Sequence, residues 1–130
     1  MIKINIKILR ILQSCKLETP VARLYRNFKT LPIHKLHELY ILAFMHKHKH
    51  DRVNLPFVFH EYCIENFNIP AHSTRQSNNY HKQLINKSIG QKTPKTKGCK
   101  LWNELPYLLQ LCKGLFTFKS KKKNKLLLEL

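Results

Sequence analysis

The sequence predicts a mainly α fold: a small helical domain, an extended loop-rich arm and a basic C-terminal helix. Three observations predict it. Apolar residues recur at helical spacing through residues 33 to 49. A polar stretch broken by Gly90, Pro94 and Gly98 then interrupts the pattern from 71 to 99. Helical spacing returns from Lys100 and closes on a lysine run. At 130 residues, 43% of them apolar, the chain suits one domain able to bury roughly two thirds of its extended surface.

The first twelve residues read two ways. Ile2, Ile4, Ile6 and Ile8 alternate as in a strand, while Ile4, Ile8, Ile11 and Leu12 share a helical face. No neighbouring strand offers a partner, so helix is favoured. Thr19-Pro20 reads as an N-cap with proline in the first helical position, opening a short helix with Val21, Leu24, Tyr25 and Phe28 on one stripe. Pro32 starts the strongest helix, about 33 to 49, with Leu36, Leu39, Tyr40, Ala43 and Phe44 as its apolar stripe. Asn54-Leu55-Pro56 breaks it. "PFVFHEYCIENF" then suggests a helix of about ten residues carrying Phe59, Cys63 and Phe67 in a row.

Residues 71–99 read as the extended arm, with a short β-hairpin around Tyr80–Ile85 and Ser88–Thr93 as an option. A one-turn helix through Trp102 and Leu105 follows, ended by Pro106, with Gly98 permitting a chain reversal before it. Trp102, Leu105 and Pro106 are thus expected to pin the arm, the indole packing on residues such as Phe44, Phe59 or Phe67. The alternative makes Trp102 an exposed platform for base stacking. The last helix begins near Leu115. The division expected is a helical region over 1–70, the arm over 71–99, and the Trp turn with the basic helix over 100–130.

Charge restricts the partners. Against 24 Lys and Arg stand 7 Asp and Glu, a formal +17, and only five of the bases are arginines (Arg10, Arg23, Arg26, Arg52 and Arg75). Self-repulsion of that size costs stability unless a polyanion supplies counter-charge, which makes RNA or DNA the first partner to consider. AT-rich codon usage is the competing explanation. Lys119, Lys121, Lys122, Lys123 and Lys125 form a run that reads either as a solvated helix face or as a cationic strip displacing counterions from a phosphate backbone. Lysines of this kind recognise charge and not sequence. Phe116 and Phe118 read as buried anchors. A membrane-surface role ranks below these, because no helix pairs a clean Lys face with a clean apolar one.

Cys15, Cys63, Cys99 and Cys112 stand far apart in sequence, so free intracellular thiols are expected and a zinc knuckle is not. No run reaches membrane-span length and the N-terminus makes a poor signal peptide, so a soluble intracellular chain is expected, nuclear or cytoplasmic. His46, His48, His50 and Asp51 crowd a helix end. No acid or cysteine completes a closed metal shell, so they read as a polar last turn whose protonated rings suit the helix dipole. Two-metal phosphoryl transfer needs converging carboxylates, and Asp51 is the single aspartate. No Gly-rich phosphate loop or nucleophile elbow is present. No catalytic residue, metal, cofactor or small-molecule substrate is expected.

In order, "KILRILQ", "LYRNFKTLPIHKLHELYILAFMHKHKH", "NLPFVFHEY", "HSTRQSNNYH", "GCKLWNELP" and "FKSKKKNKLLL" resemble the C-terminal tail of reverse transcriptases (RNA-directed DNA polymerases) of jockey-like non-LTR retrotransposons. The sharpest marks are Ser73-Thr74-Arg75 and the block from Lys97 to Pro106. The resemblance implies a thumb-like and post-thumb fragment or decayed copy, whose catalytic aspartates belong to a region upstream of the resemblance. By position it implies that the first helices are thumb-like and touch template–primer backbone; from charge, weak, salt-dependent contact with nucleic-acid backbones is expected through Arg75, Lys97, Lys100 and the lysines of the closing helix. Two departures suggest relaxed constraint: Cys99 stands where the family has proline, and Lys122 interrupts the apolar row of Phe118 and Leu126. The rival is an inert structural remnant or a protein-interaction module of a degenerate element.

Overall fold

Seven α-helices form among the residues described, 2–69 and 75–130, in the computed structural model of the protein: α1 (Ile2–Leu12), α2 (Val21–Asn27), α3 (Ile33–His50), α4 (Ser88–Gln91), α5 (Pro94–Asn103), α6 (Tyr107–Gln110) and α7 (Leu115–Leu128). The fold is mainly α, as the periodicity predicts. α3 is its axis: α5 and α7 both pack along it, while α1 and α2 pack on each other as a hairpin with a small core of their own.

α1 settles the strand–helix ambiguity as helix. It buries Leu9, with Ile6 beside it, against Leu24 and Tyr25 of α2. The row of Ile4, Ile8, Ile11 and Leu12 is real but turns outward, Ile11 being 76% exposed. α2 starts one residue later than expected, because Pro20 itself occupies the N-cap, and no side chain caps it. Both helices of the hairpin close through left-handed residues that are not glycine, Ser14 (φ 50°) and Lys29 (φ 48°). The amide of Thr30 then reaches back to the carbonyl of Tyr25 at 3.0 Å.

α3 starts behind Pro32 as predicted, but its expected stripe is only half right. Leu39 and Ala43 are buried, whereas Tyr40 is 61% exposed and Leu36 is exposed too. Ile41, Leu42, Met45, His46 and His48 are buried instead. A helix covered on two sides by neighbours buries residues all round, so a single-stripe template selects too few of them.

The expected helix over 56–67 does not form. Three-residue 3₁₀ turns at Phe57–Phe59 and Asn66–Asn68 replace it. Cys63 is buried, but Phe67 is 57% exposed, so the expected row is not a packing face. The hairpin option also fails: residues 88–91 are helical, and Tyr80 bridges to Glu65 instead. Three backbone bonds, His81 N to Ile64 O at 2.7 Å, Asn66 N to Asn79 O at 2.9 Å and Phe67 N to Ser77 O at 3.0 Å, pair the segments around them. The second half of the arm is helix. Thr93 caps α5 and Pro94 takes its first position, so α5 runs across residues 99 and 100, where the sequence reading divides arm from turn.

Gly98 therefore sits inside a helix and reverses no chain. A Cβ there would meet Met45 Sδ at 2.9 Å and Ile41 Cγ2 at 3.3 Å, so its role is to let α5 lie close on α3.

Candidate nucleic-acid interface

The basic residues predicted to meet phosphate stand on three parts of the chain: Lys97 and Lys100 on α5, the lysines of the closing run on α7, and Arg75 in a turn. α5, its N-terminus fixed by the Thr93-Pro94 cap, presents Lys97 and Lys100 one turn apart. With Lys92, Ser88, Gln91 and Thr96 they line an open cleft of ≈ 600 Å³ between α3, α4 and α5. Amines, hydroxyls and an amide of this kind can all meet phosphate oxygens. The cleft is not purely cationic, since Glu38 and Glu104 also line it. Glu38 is already engaged by Lys35, 3.7 Å away.

α7 divides its lysines. Phe118, Lys122 and Leu126 form the inward row, with Phe118 and Leu126 fully buried. Lys119 and Lys123 stand together on one flank, Lys121 and Lys125 on the other, each pair four residues apart. The lysines of the dense strip expected from sequence thus fall on both sides of the core-facing row. Burial lowers the Lys122 ammonium below its usual range; Glu129 and Glu38 oppose that shift, while Lys125 and Lys35 reinforce it. The Lys119 ammonium stands 5.5 Å over the Tyr40 ring of α3. Arg75 is exposed in a turn and does not line the cleft; Ser73 and Thr74 lie outside the described residues. Of the closing pair of phenylalanines only Phe118 is an anchor, Phe116 being 86% exposed.

Trp102 is an anchor too, 1% exposed, with Leu105 buried beside it. Its partners differ from those expected. The rings around the indole are His46 and His50, both centred 6.3 Å away, Phe118 at 5.9 Å and Tyr80 at 6.4 Å. Phe44 instead packs edge-on to Phe59 and Tyr62. Pro106 ends the turn and begins α6. Gln110 holds the junction by donating to the carbonyls of Trp102 and Leu105 at 2.9 and 3.2 Å. Asn103 fixes the arm by accepting from the Tyr80 amide at 2.9 Å and donating to its carbonyl at 2.8 Å.

The histidines correct the sequence reading most. His46 and His48 are buried, at 2% and 0% exposure. His46 Nε2 donates to the Cys112 carbonyl at 2.5 Å, and His48 Nδ1 lies 2.9 Å from the Tyr80 hydroxyl. Burial pushes both rings below 6.5; nearby His50 adds to this for His46, and Arg52 for His48. They are neutral core rings at pH 7, and not protonated groups facing the dipole. Only His50 keeps an exposed hydrogen bond, 2.8 Å to the Gln110 carbonyl.

Two further acids are engaged in structural contacts. Glu65 takes Lys49 at 2.5 Å and Arg52 at 3.3 Å, and Asp51 accepts from Asn54 at 2.7 Å at the end of α3. Among the described residues no three of His, Cys, Asp and Glu converge as a metal shell. No helix among them is long and apolar enough to cross a membrane. Sequence reasoning missed Lys92 and the burial of His48; the Thr93-Pro94 cap, which orients the cleft lysines, was the signal that could have found the first. Comparison with protein-family models, curated proteins and solved structures returns no match.

Proposed function

We propose that the chain is a non-catalytic C-terminal piece of a retroelement RNA-directed DNA polymerase that binds nucleic-acid backbones weakly and without sequence preference. The observation that carries it is the cleft holding Lys92, Lys97 and Lys100 among small polar groups. Its amines outnumber its carboxylates only slightly, which supports weak attraction to phosphate. No aromatic ring lines it, so base stacking is not part of the reading. The motif block from Lys97 to Pro106, which carries the family resemblance, forms one wall of the cleft and the buried Trp anchor behind it.

The test is anisotropy of labelled single- and double-stranded RNA and DNA between about 50 and 200 mM salt. Log affinity should fall linearly with log salt for all four. Changing Lys92, Lys97 and Lys100 together to Ala should reduce the slope by roughly two to three, close to one unit for each phosphate that is no longer neutralised. Binding that is absent at about 50 mM, or flat with salt, overturns the proposal. A second reading, a protein-interaction module, draws on a different observation: the outward apolar row of Ile4, Ile8, Ile11 and Leu12 on α1.

A further inference from the structure

The two thiols that sequence spacing dismissed stand side by side. Cys63, in the turn-rich segment after α3, and Cys99, in α5, are 36 residues apart, yet their sulfurs are 3.4 Å from each other. Both are 4% exposed, and Met45 Sδ lies 4.0 Å from the Cys63 sulfur on the α3 side. Cys15 and Cys112 are engaged elsewhere, with the Gln13 and Gly114 carbonyls. We propose that Cys63 and Cys99 are a reversible redox site, closing under a peroxide-class oxidant to a disulfide that staples the turn segment to α5.

The surroundings divide the labour between the sulfurs. Lys95 lies one helical turn before Cys99, with its ammonium 5.8 Å from the Tyr62 ring centre, so a cation sits beside the pair. The neighbouring Cys63 sulfur, then the Lys95 charge, favours the Cys99 thiolate against the cost of burial. The Cys63 thiol is pushed the other way, by the same sulfur–sulfur contact and by burial. Lys95 stands on the same helix as Cys99, one turn away, which makes Cys99 the attacking sulfur and Cys63 the resolving one. The Cys99 thiolate attacks one peroxide oxygen, the O–O bond breaks, and hydroxide leaves and takes a proton to become water. Cys63 then attacks the sulfenic sulfur, the S–O bond breaks, and a second water departs with the Cys63 proton. Two thiols and one hydrogen peroxide yield one disulfide and two waters, and a small thiol returns the pair by exchange. Oxidant access requires local opening of the turn segment, whose outer residues Phe57 and Val58 are 85% and 76% exposed. The proposal is independent of whether the cleft binds nucleic acid.

The test uses the full chain and a variant carrying Cys15→Ser and Cys112→Ser, which leaves the pair intact. Each is treated with hydrogen peroxide, digested without reductant and read by mass spectrometry, natively and in urea. Native oxidation should give the Cys63–Cys99 cross-linked peptide, two hydrogens lighter, whereas oxidation of the four-thiol chain in urea should scramble the pairings. The cross-link should raise the melting temperature by about 10 °C, reversibly with dithiothreitol, because it removes the closure entropy of a loop of this length. Sulfinic acid at Cys99 without a cross-link, native pairings no more selective than those in urea, or a lowered melting temperature would overturn the proposal.

Discussion

His48 shows how much one side chain can commit a fold to a protonation state. Its ring is wholly buried against the Tyr80 hydroxyl, and His46 is buried against the Cys112 carbonyl. Both have folded values below 6.5, so as pH falls below that figure the unfolded chain takes up protons first. Stability is therefore fully present above 6.5 and declines below it until the folded values are passed, by at most about 1.4 kcal/mol per pH unit for each ring. Chemical denaturation from pH 7.5 to 5 should show the decline, and His48→Phe should flatten it even while lowering stability throughout. An unchanged slope in that variant would mean the ring titrates normally. At Trp102 the expectation is simpler. Truncation to Ala should cost about 3–5 kcal/mol, because the indole fills the space between His46, His50, Tyr80 and Phe118. Its emission should be blue-shifted and indifferent to added oligonucleotide; solvent-like emission quenched by single strands would restore the stacking-platform reading. The anchor was legible in the sequence because a tryptophan followed by leucine and proline has few other uses. Its partners were not, since histidines and a tyrosine carry no sign in sequence of which face they join.

At the scale of elements, termini and close approaches decide what is stable. Lys29 ends α2 with φ 48°, a conformation that costs an L-residue roughly 1 kcal/mol and glycine almost nothing. Lys29→Gly should raise stability by a few tenths to about 1 kcal/mol, measurable as a shift in the urea midpoint without a change in slope. Gly98 should behave in the opposite sense. Gly98→Val drives a branched side chain into Met45 and Ile41 and should cost about 1–3 kcal/mol. The helices at Ile33–His50 and Leu115–Leu128 were legible because their patterns are long, whereas Ile2–Leu12 fits strand and helix alike and was favoured as helix only for want of a strand partner. The segment after Pro56 was not. Its apolar residues have helical spacing, but buried Cys63 and the Glu65–Tyr80 pairing hold it as turns. α5 was overlooked for a different reason: three breakers in ten residues suggested a loop, yet Thr93 and Pro94 begin a helix and Gly98 only thins it.

Across the whole molecule, a formal +17 must be tolerated by a core built around one helix. Lys122, held between the buried Phe118 and Leu126, is the place where charge and core conflict. Lys122→Met should raise the melting temperature while leaving nucleic-acid affinity nearly unchanged; a large loss of affinity would show that this ammonium reaches phosphate. The isolated chain should support neither primer extension nor divalent-dependent cleavage, and activity that co-purifies and survives Asp51→Ala would contradict that expectation. The order in which the chain is made carries a final consequence. The walls around His46 and Trp102 come from α3, α5 and α7, and Phe118 stands 72 positions after His46. On the ribosome, α3 therefore emerges long before its covering helix exists. Until residue 118 clears the exit tunnel, its buried rings face water, or whatever chaperone is at hand. A chain cut short before α7 should therefore leave the α3 face uncovered and be cleaved by protease faster than the intact chain.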